Sequence, residues 1–259
     1  VIINGDMITH RPYPSPHDSV KLTEITYSSR GVSVKGLLAE PKASGTYEGL
    51  VYLRGGLQHV GMVRAARIAQ FAQQGFIVFA PYYRGNRGGH GRDEFAGDDR
   101  YDALYAVDVL KQFCSSSRIH VYGFSRGGIM ALWLAAMSDD ITSVVTWAGV
   151  SDVTYLYEER VDMRRTLKRI IGGTPMKYPA RYAARTPLFA LNYVQAPLLI
   201  IHGTHDEHVD IEHAYFLAGC ARVLDKQVET WITEGQKHHY GPALNRQTVR
   251  DLCKWMKAQ

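Results

Sequence analysis

Apolar and polar residues alternate over residues 22–28 and again over 32–40, on either side of Arg30-Gly31. A period of two predicts strands, and the turn between them predicts an antiparallel hairpin. The pattern then changes to short, continuous apolar runs at 49–53, 76–80, 119–122, 144–147, 198–201 and 228–232. Such runs predict strands buried on both faces. Helical spacing fills intervals between them, at 62–74, 98–113, 125–137 and 211–221, and a last helix is predicted over 247–257. Gly75 stands where a helix end takes glycine, and Asp98, Asp99 and Asp102 stand near the positive end of theirs. Two stretches fall outside the alternation. The beginning, with Pro12, Pro14 and Pro16, predicts an irregular arm, and residues 154–192, polar and rich in Arg and Tyr, predict a small helical insertion over the strand ends.

Strands alternating with helices after an opening hairpin define an α/β protein with a mostly parallel central sheet covered on both faces. At 259 residues, one domain spanning 1–259 is expected. Hydrophobic residues at 46% and charged residues at 21% give a core and exclude disorder. The net charge of +5 invites a nucleic-acid reading, but the basic residues are scattered among acids and form no stripe, so no nucleic acid is expected as partner. No apolar run reaches the ~18 residues of a membrane span. The start, Val1-Ile2-Ile3-Asn4-Gly5-Asp6, lacks the pattern of a signal peptide. Cys114, Cys220 and Cys253 are far apart and odd in number, which fits a reducing cytoplasm and no disulfide framework.

The chemistry concentrates at Gly123-Phe124-Ser125-Arg126-Gly127, between a predicted strand and a predicted helix. This is the setting of a nucleophile elbow: the turn strains the serine backbone, exposes its oxygen, and demands small residues two before and two after. A serine hydroxyl needs a base oriented by a third group, and in such folds the acid and then the histidine follow in the chain. Asp206 lies just past the strand at 198–201 and is the candidate acid, ahead of Glu207 and Asp210. After the final strand His238 and His239 compete as base, and spacing does not separate them. His202, His205 and His208 form a second cluster, without the carboxylate framework that would make it a metal site. Candidate oxyanion donors are the amide of Arg126 and that of Gly56 in the turn Arg54-Gly55-Gly56-Leu57.

These motifs together resemble the catalytic domain of the prolyl oligopeptidase family of serine peptidases and related esterases. Pro81-Tyr82-Tyr83-Arg84-Gly85-Asn86-Arg87-Gly88-Gly89-His90-Gly91 is similar to its Tyr-Arg-Gly-Ser-x-Gly-Tyr-Gly segment, and Gly123 to Gly128 match its Gly-x-Ser-x-Gly-Gly. Ala196 to Val209 resemble Pro-x-Leu-x-x-His-Gly-x-x-Asp-x-x-Val, and Glu234-Gly235-Gln236-Lys237-His238-His239-Tyr240 resembles Glu-Gly-x-x-His-x-Phe. The resemblance implies an α/β-hydrolase fold and selects His238 as the base. Family peptidases often carry His-Gly-Gly-Pro where this chain has Arg54-Gly55-Gly56-Leu57, and tyrosine where it has Arg126. No propeller of the kind that gates peptide length is expected ahead of the domain.

The expected function is hydrolysis of ester or peptide bonds in small substrates through Ser125, Asp206 and His238, with no cofactor. Arg126 stands either as a recognition group for substrate carboxylates or as part of a structural ion pair. Glu158-Glu159 stands either as a site for a substrate amine or as a solvated helix face. The rival from another class is a non-catalytic binding or regulatory module of the same fold.

Overall fold

The computed structural model describes residues 3–259; Val1 and Ile2, which open the chain, lie outside them. Among the described residues nine strands, numbered in chain order from β1 (Met7–Tyr13), form one sheet in the order β1-β2-β3-β5-β4-β6-β7-β8-β9. The expected hairpin is β2 (Val20–Ser29) and β3 (Val32–Pro41), antiparallel with Tyr27 opposite Val34. The apolar runs become β4 (Glu48–Leu53), β5 (Phe76–Pro81), β6 (Ile119–Phe124), β7 (Ile141–Trp147), β8 (Leu198–Gly203) and β9 (Val228–Thr233). Of these, β5, β4, β6, β7, β8 and β9 run parallel in that order. This is the α/β-hydrolase fold.

One expectation was wrong at the start of the chain. Residues Met7–Tyr13 are no arm but strand β1, paired antiparallel with β2. As the outermost strand it buries almost nothing, so it has no apolar face for a sequence pattern to reveal. Pro12 is tolerated there because an edge strand has one side free of ladder bonds.

Side chains alternate across the sheet, which splits the core in two. On β5, Ile77 and Phe79 join one cluster, with Val107, Ile129 and Leu217 from α2 (Arg100–Lys111), α3 (Gly127–Met137) and α7 (Glu212–Val223). Phe76 and Val78 join the other, with Ile68 and Phe71 of α1 (Ala65–Ala72) and Leu252 of α8 (Pro242–Lys257). Helix α8 starts before the expected residue 247 because Pro242 can occupy a first turn, where its missing N–H is no loss. Between β7 and β8 lie α4 (Val153–Glu159), α5 (Arg164–Ile171) and α6 (Pro179–Ala183), with 3-10 turns at Val161–Met163 and Pro187–Tyr193.

Asp99 and Asp102 stand at the N-terminus of α2 as expected, and they do more than meet its dipole. Asp102 is fully buried, accepts from Arg84 Nη2 at 2.8 Å and from Ser29 Oγ at 2.6 Å, and so ties β2, α2 and the segment after β5 together. Asp99 is equally buried and reaches into the site described below.

His120 is buried on β6 between Ser143 Oγ at 2.8 Å and Glu48 Oε2 at 3.0 Å. Burial pushes its pKa down to about 4, against the upward pull of Glu48. The fold therefore holds the neutral ring, and the unfolded chain takes up the extra proton as pH falls from 6.5 toward about 4. Stability present above the unfolded value is lost through that window, by about 3 kcal/mol in full. His120→Gln is expected to remove this component, so that urea midpoints at about pH 4.5 and about pH 7.5 lie closer together than in the wild type.

Candidate active site

Strand β6 ends at Phe124 and α3 begins at Gly127, leaving two residues for the turn. Ser125 takes φ 56°, a left-handed conformation that a serine adopts only under constraint. The constraint is visible in its neighbours. A Cβ on Gly123 would collide with the Gly127 carbonyl, and one on Gly127 with the Leu53 carbonyl. The elbow closes only because both lack one. Arg126 is the N-cap residue of α3, so the helix begins directly behind the serine.

The other two candidates come from the carboxyl ends of neighbouring parallel strands, where such sheets bind ligands. Asp206 follows β8 and has no side-chain exposure. Its Oδ1 accepts from the amides of His208 at 2.8 Å and Val209 at 3.0 Å, which fixes the carboxylate plane. Its Oδ2 is 2.8 Å from His238 Nδ1, on the loop after β9, and 3.4 Å from His202 Nε2. Burial alone would raise the pKa of Asp206; the hydrogen bonds from His202 and His238, the charge of His238 and the Val209 amide carry it well below the usual carboxylate range. An ionised carboxylate is what orients an imidazole with Nδ1 protonated and leaves Nε2 to act as base. The neighbouring His239 makes no such contact and stacks on Phe124, with ring centres 5.1 Å apart.

Ser125 and His238 line one cavity of about 870 Å³. Among the described residues no hydrogen bond joins them, as is common before substrate binds. Gly55 passes so close that a Cβ there would lie 2.8 Å from the Ser125 Cβ. Leu156, Arg160, Met163, Thr166 and Arg169, from the helices between β7 and β8, line the same cavity.

Arg126 was open to two readings, and the structure decides for the structural ion pair. Its side chain is 2% exposed, bonds Asp93 Oδ1 at 2.7 Å and Asp99 Oδ2, and lies 5.0 Å from the ring centres of Tyr83 and Phe95. Arg54, 1% exposed, shares Asp93 at 3.6 Å and bonds the carbonyls of Tyr82 and Gly55, both at 3.0 Å. Arg126 Nη1 in turn bonds the Gly56 carbonyl at 3.1 Å. Burial and the adjacent carboxylates push Asp99 upward against the pull of Arg126, while Arg126 and Arg54 overcome burial to hold Asp93 low. The motif of tyrosines and Arg84 had no assigned role; Tyr83 now backs both guanidiniums and donates to the Arg54 carbonyl at 3.1 Å. Asp93 carried no signal in the sequence.

The acidic pair was likewise ambiguous. Glu159 bonds His213 Nε2 at 3.1 Å and the Asp210 amide at 2.9 Å, Glu158 pairs with Arg164, and neither lines the cavity. Of the second histidine cluster, His202 is buried against the Val209 carbonyl at 2.9 Å, and His205 is exposed. His208 packs its ring on His238, 5.0 Å between centres.

Fold and elbow together define the class, a hydrolase of the serine peptidase type. The chain belongs to the prolyl oligopeptidase family, whose model matches residues 62–259. It is 51% identical over 254 residues to the uncharacterized peptidase YtmA of Bacillus subtilis (strain 168), covering 97% of this chain and 99% of that protein. The uncharacterized peptidase YuxL of the same organism is 28% identical over 235 residues, with 80% of this chain and 34% of YuxL covered. Pyrococcus horikoshii acylaminoacyl peptidase superposes with a TM-score of 0.79 at 18% identity, over 93% of this chain but only 42% of that one. Acetyl xylan esterase from Paenibacillus sp. R4 superposes at 0.74 and 16% identity, over 96% and 88% of the two chains. At those identities the two structures share the fold alone.

Replacing Arg126 by methionine would leave buried Asp99 without a counter-charge and Asp93 with Arg54 alone. Arg126→Met is expected to cost about 3–5 kcal/mol of stability, read from denaturant midpoints. A guanidinium held in reserve for substrate would leave the midpoint unmoved.

Proposed function

We propose that this protein is a serine hydrolase that cleaves ester or peptide bonds of small substrates through an acyl-enzyme. The observation that carries the reading is a strained Ser125 sharing a cavity with a histidine held at 2.8 Å by a buried carboxylate. In the first step His238 Nε2 takes the Ser125 proton as Oγ bonds the substrate carbonyl carbon. The tetrahedral intermediate collapses when the carbon's bond to the leaving oxygen or nitrogen breaks, and that atom receives the proton from His238. Water then attacks the acyl-enzyme, giving its proton to His238, and Ser125 recovers a proton as the acid departs. Asp206 stays ionised and holds the ring.

The oxyanion is assigned to the amides of Arg126 and Gly56. A trans peptide sets its N–H opposite its C=O. With the Gly55 carbonyl drawn to Arg54, the Gly56 N–H is turned the other way. Donors fixed before reaction need no reorganisation when charge develops. Residues 1–259 are read as one domain, and the helices of 154–192 as a small roof over the site that limits substrate size. A cytoplasmic location fits the three free cysteines.

The test is labelling by a fluorophosphonate together with turnover of p-nitrophenyl esters and short chromogenic peptides. Ser125→Ala and His238→Ala are expected to abolish labelling and to lower kcat on the order of a million-fold, and Asp206→Asn about ten-thousand-fold. A folded wild type that neither labels nor turns over would make the chain a binding module of this fold.

A further inference from the structure

The cavity carries an unbalanced charge. Six arginines line it, and three of them have carboxylate partners: Arg54 and Arg126 with Asp93 and Asp99, and Arg160 with Asp162 at 2.6 Å. The other three, Arg64, Arg67 and Arg169, have no carboxylate at ion-pair distance among the described residues. Arg67, at the start of α1, is half-buried and donates only to the neutral Asn245 Oδ1. Asp162 is the one acidic side chain among the described residues of the lining. A guanidinium partly withdrawn from water gains most from a planar anion that accepts two of its N–H groups.

Position narrows the kind of anion. In the reading above, the leaving group receives its proton from His238 and so departs along the loop of His238, His239 and Tyr240. Asn245, which holds Arg67, sits in the first turn of α8, directly after that loop. The same side is electropositive: burial lowers the pKa of His239, and the charges of His238, Arg67, His208 and Arg64 lower it further. Arg67 and Arg64 thus stand beside the path of the leaving group.

We infer that the enzyme prefers substrates whose departing group bears a carboxylate, gripped by Arg67 with Arg64 beside it. In chemical terms these are short peptides or N-acyl amino acids cleaved next to a free C-terminal residue, and aryl esters with an acidic alcohol portion. The inference rests on the Ser125–His238 reading and adds the substrate class to it. Both arginines are specificity residues that touch the departing group and take no part in bond making.

The experiment compares kcat/KM for para-acetoxybenzoate and its neutral N-methylamide, and for a furylacryloyl dipeptide and its C-terminal amide. The wild type is expected to favour the acid of each hydrolysed pair by about tenfold or more at low salt. Added salt should shrink the ratio. Arg64→Gln/Arg67→Gln should bring it close to unity, mainly through KM, and Arg67→Lys should retain part of it. Equal rates for acid and amide in the wild type, or a ratio that survives the double variant and salt, overturn the inference. So does a carboxylate preference confined to the acyl side, read from p-nitrophenyl succinate against p-nitrophenyl butyrate. If even the neutral esters are untouched, the hydrolase reading falls first and takes this one with it, whereas neutral turnover without preference removes this one alone.

Discussion

Two guanidiniums and two carboxylates, all but sealed from water, hold the turn after β4 against the start of α3. Arg54 and Arg126 each reach Asp93, Arg126 also reaches Asp99, and both arginines fasten carbonyls of the Gly55-Gly56 turn. Four charges removed from solvent are a large desolvation penalty, tolerable only because every one has an opposite neighbour. What the cluster contributes is geometry. It joins the two segments whose amides are proposed to meet the oxyanion, and it fixes the direction in which each peptide faces. Serine, turn and helix start are therefore one rigid object.

The remaining parts of the site hang from the sheet. Parallel β4, β6 and β8 stop at one end, so that Arg54, Ser125 and Asp206 emerge at the same edge of the sheet, Asp206 one strand beyond β7, although far apart in sequence. Both faces of the sheet support them. Tyr52, Tyr122 and Trp147 line the cavity and belong to the core under α1 and α8, whereas Phe95 and Val150 line it from the core under α2 and α3. Aromatic contacts carry this support to the proposed base: Phe124, next to the serine, packs its ring 4.9 Å from His238.

Much of this was legible from residue order. Buried strands announce themselves as apolar runs, and the elbow glycines are steric requirements of a fixed turn, so Ser125 and its setting could be read directly. Asp206 could be named as candidate acid from its place after β8, and His238 as candidate base from the resemblance of the tail, and the structure brings the two into contact. Strand β1 was not legible, since an exposed edge strand has no apolar alternation. The roles of Arg126 and Glu159 were not legible either. A charged residue looks the same in sequence whether it meets solvent, substrate or a buried partner, and Asp93 lies 33 positions from the arginine it neutralises. That Arg64 and Arg67 meet no carboxylate among the described residues is invisible for the same reason, being a property of what surrounds them.

The ion cluster also governs how the protein fails. An active site built on loops can loosen while the core stands, so that activity fades with gentle warming and returns on cooling. Here the turn that shapes the site is bolted to α3 and to the segment after β5 by charges that water reaches only when the core itself opens. Heat should therefore undo this turn only together with the fold, and any earlier loss of activity would have to begin in the loops after β8 and β9.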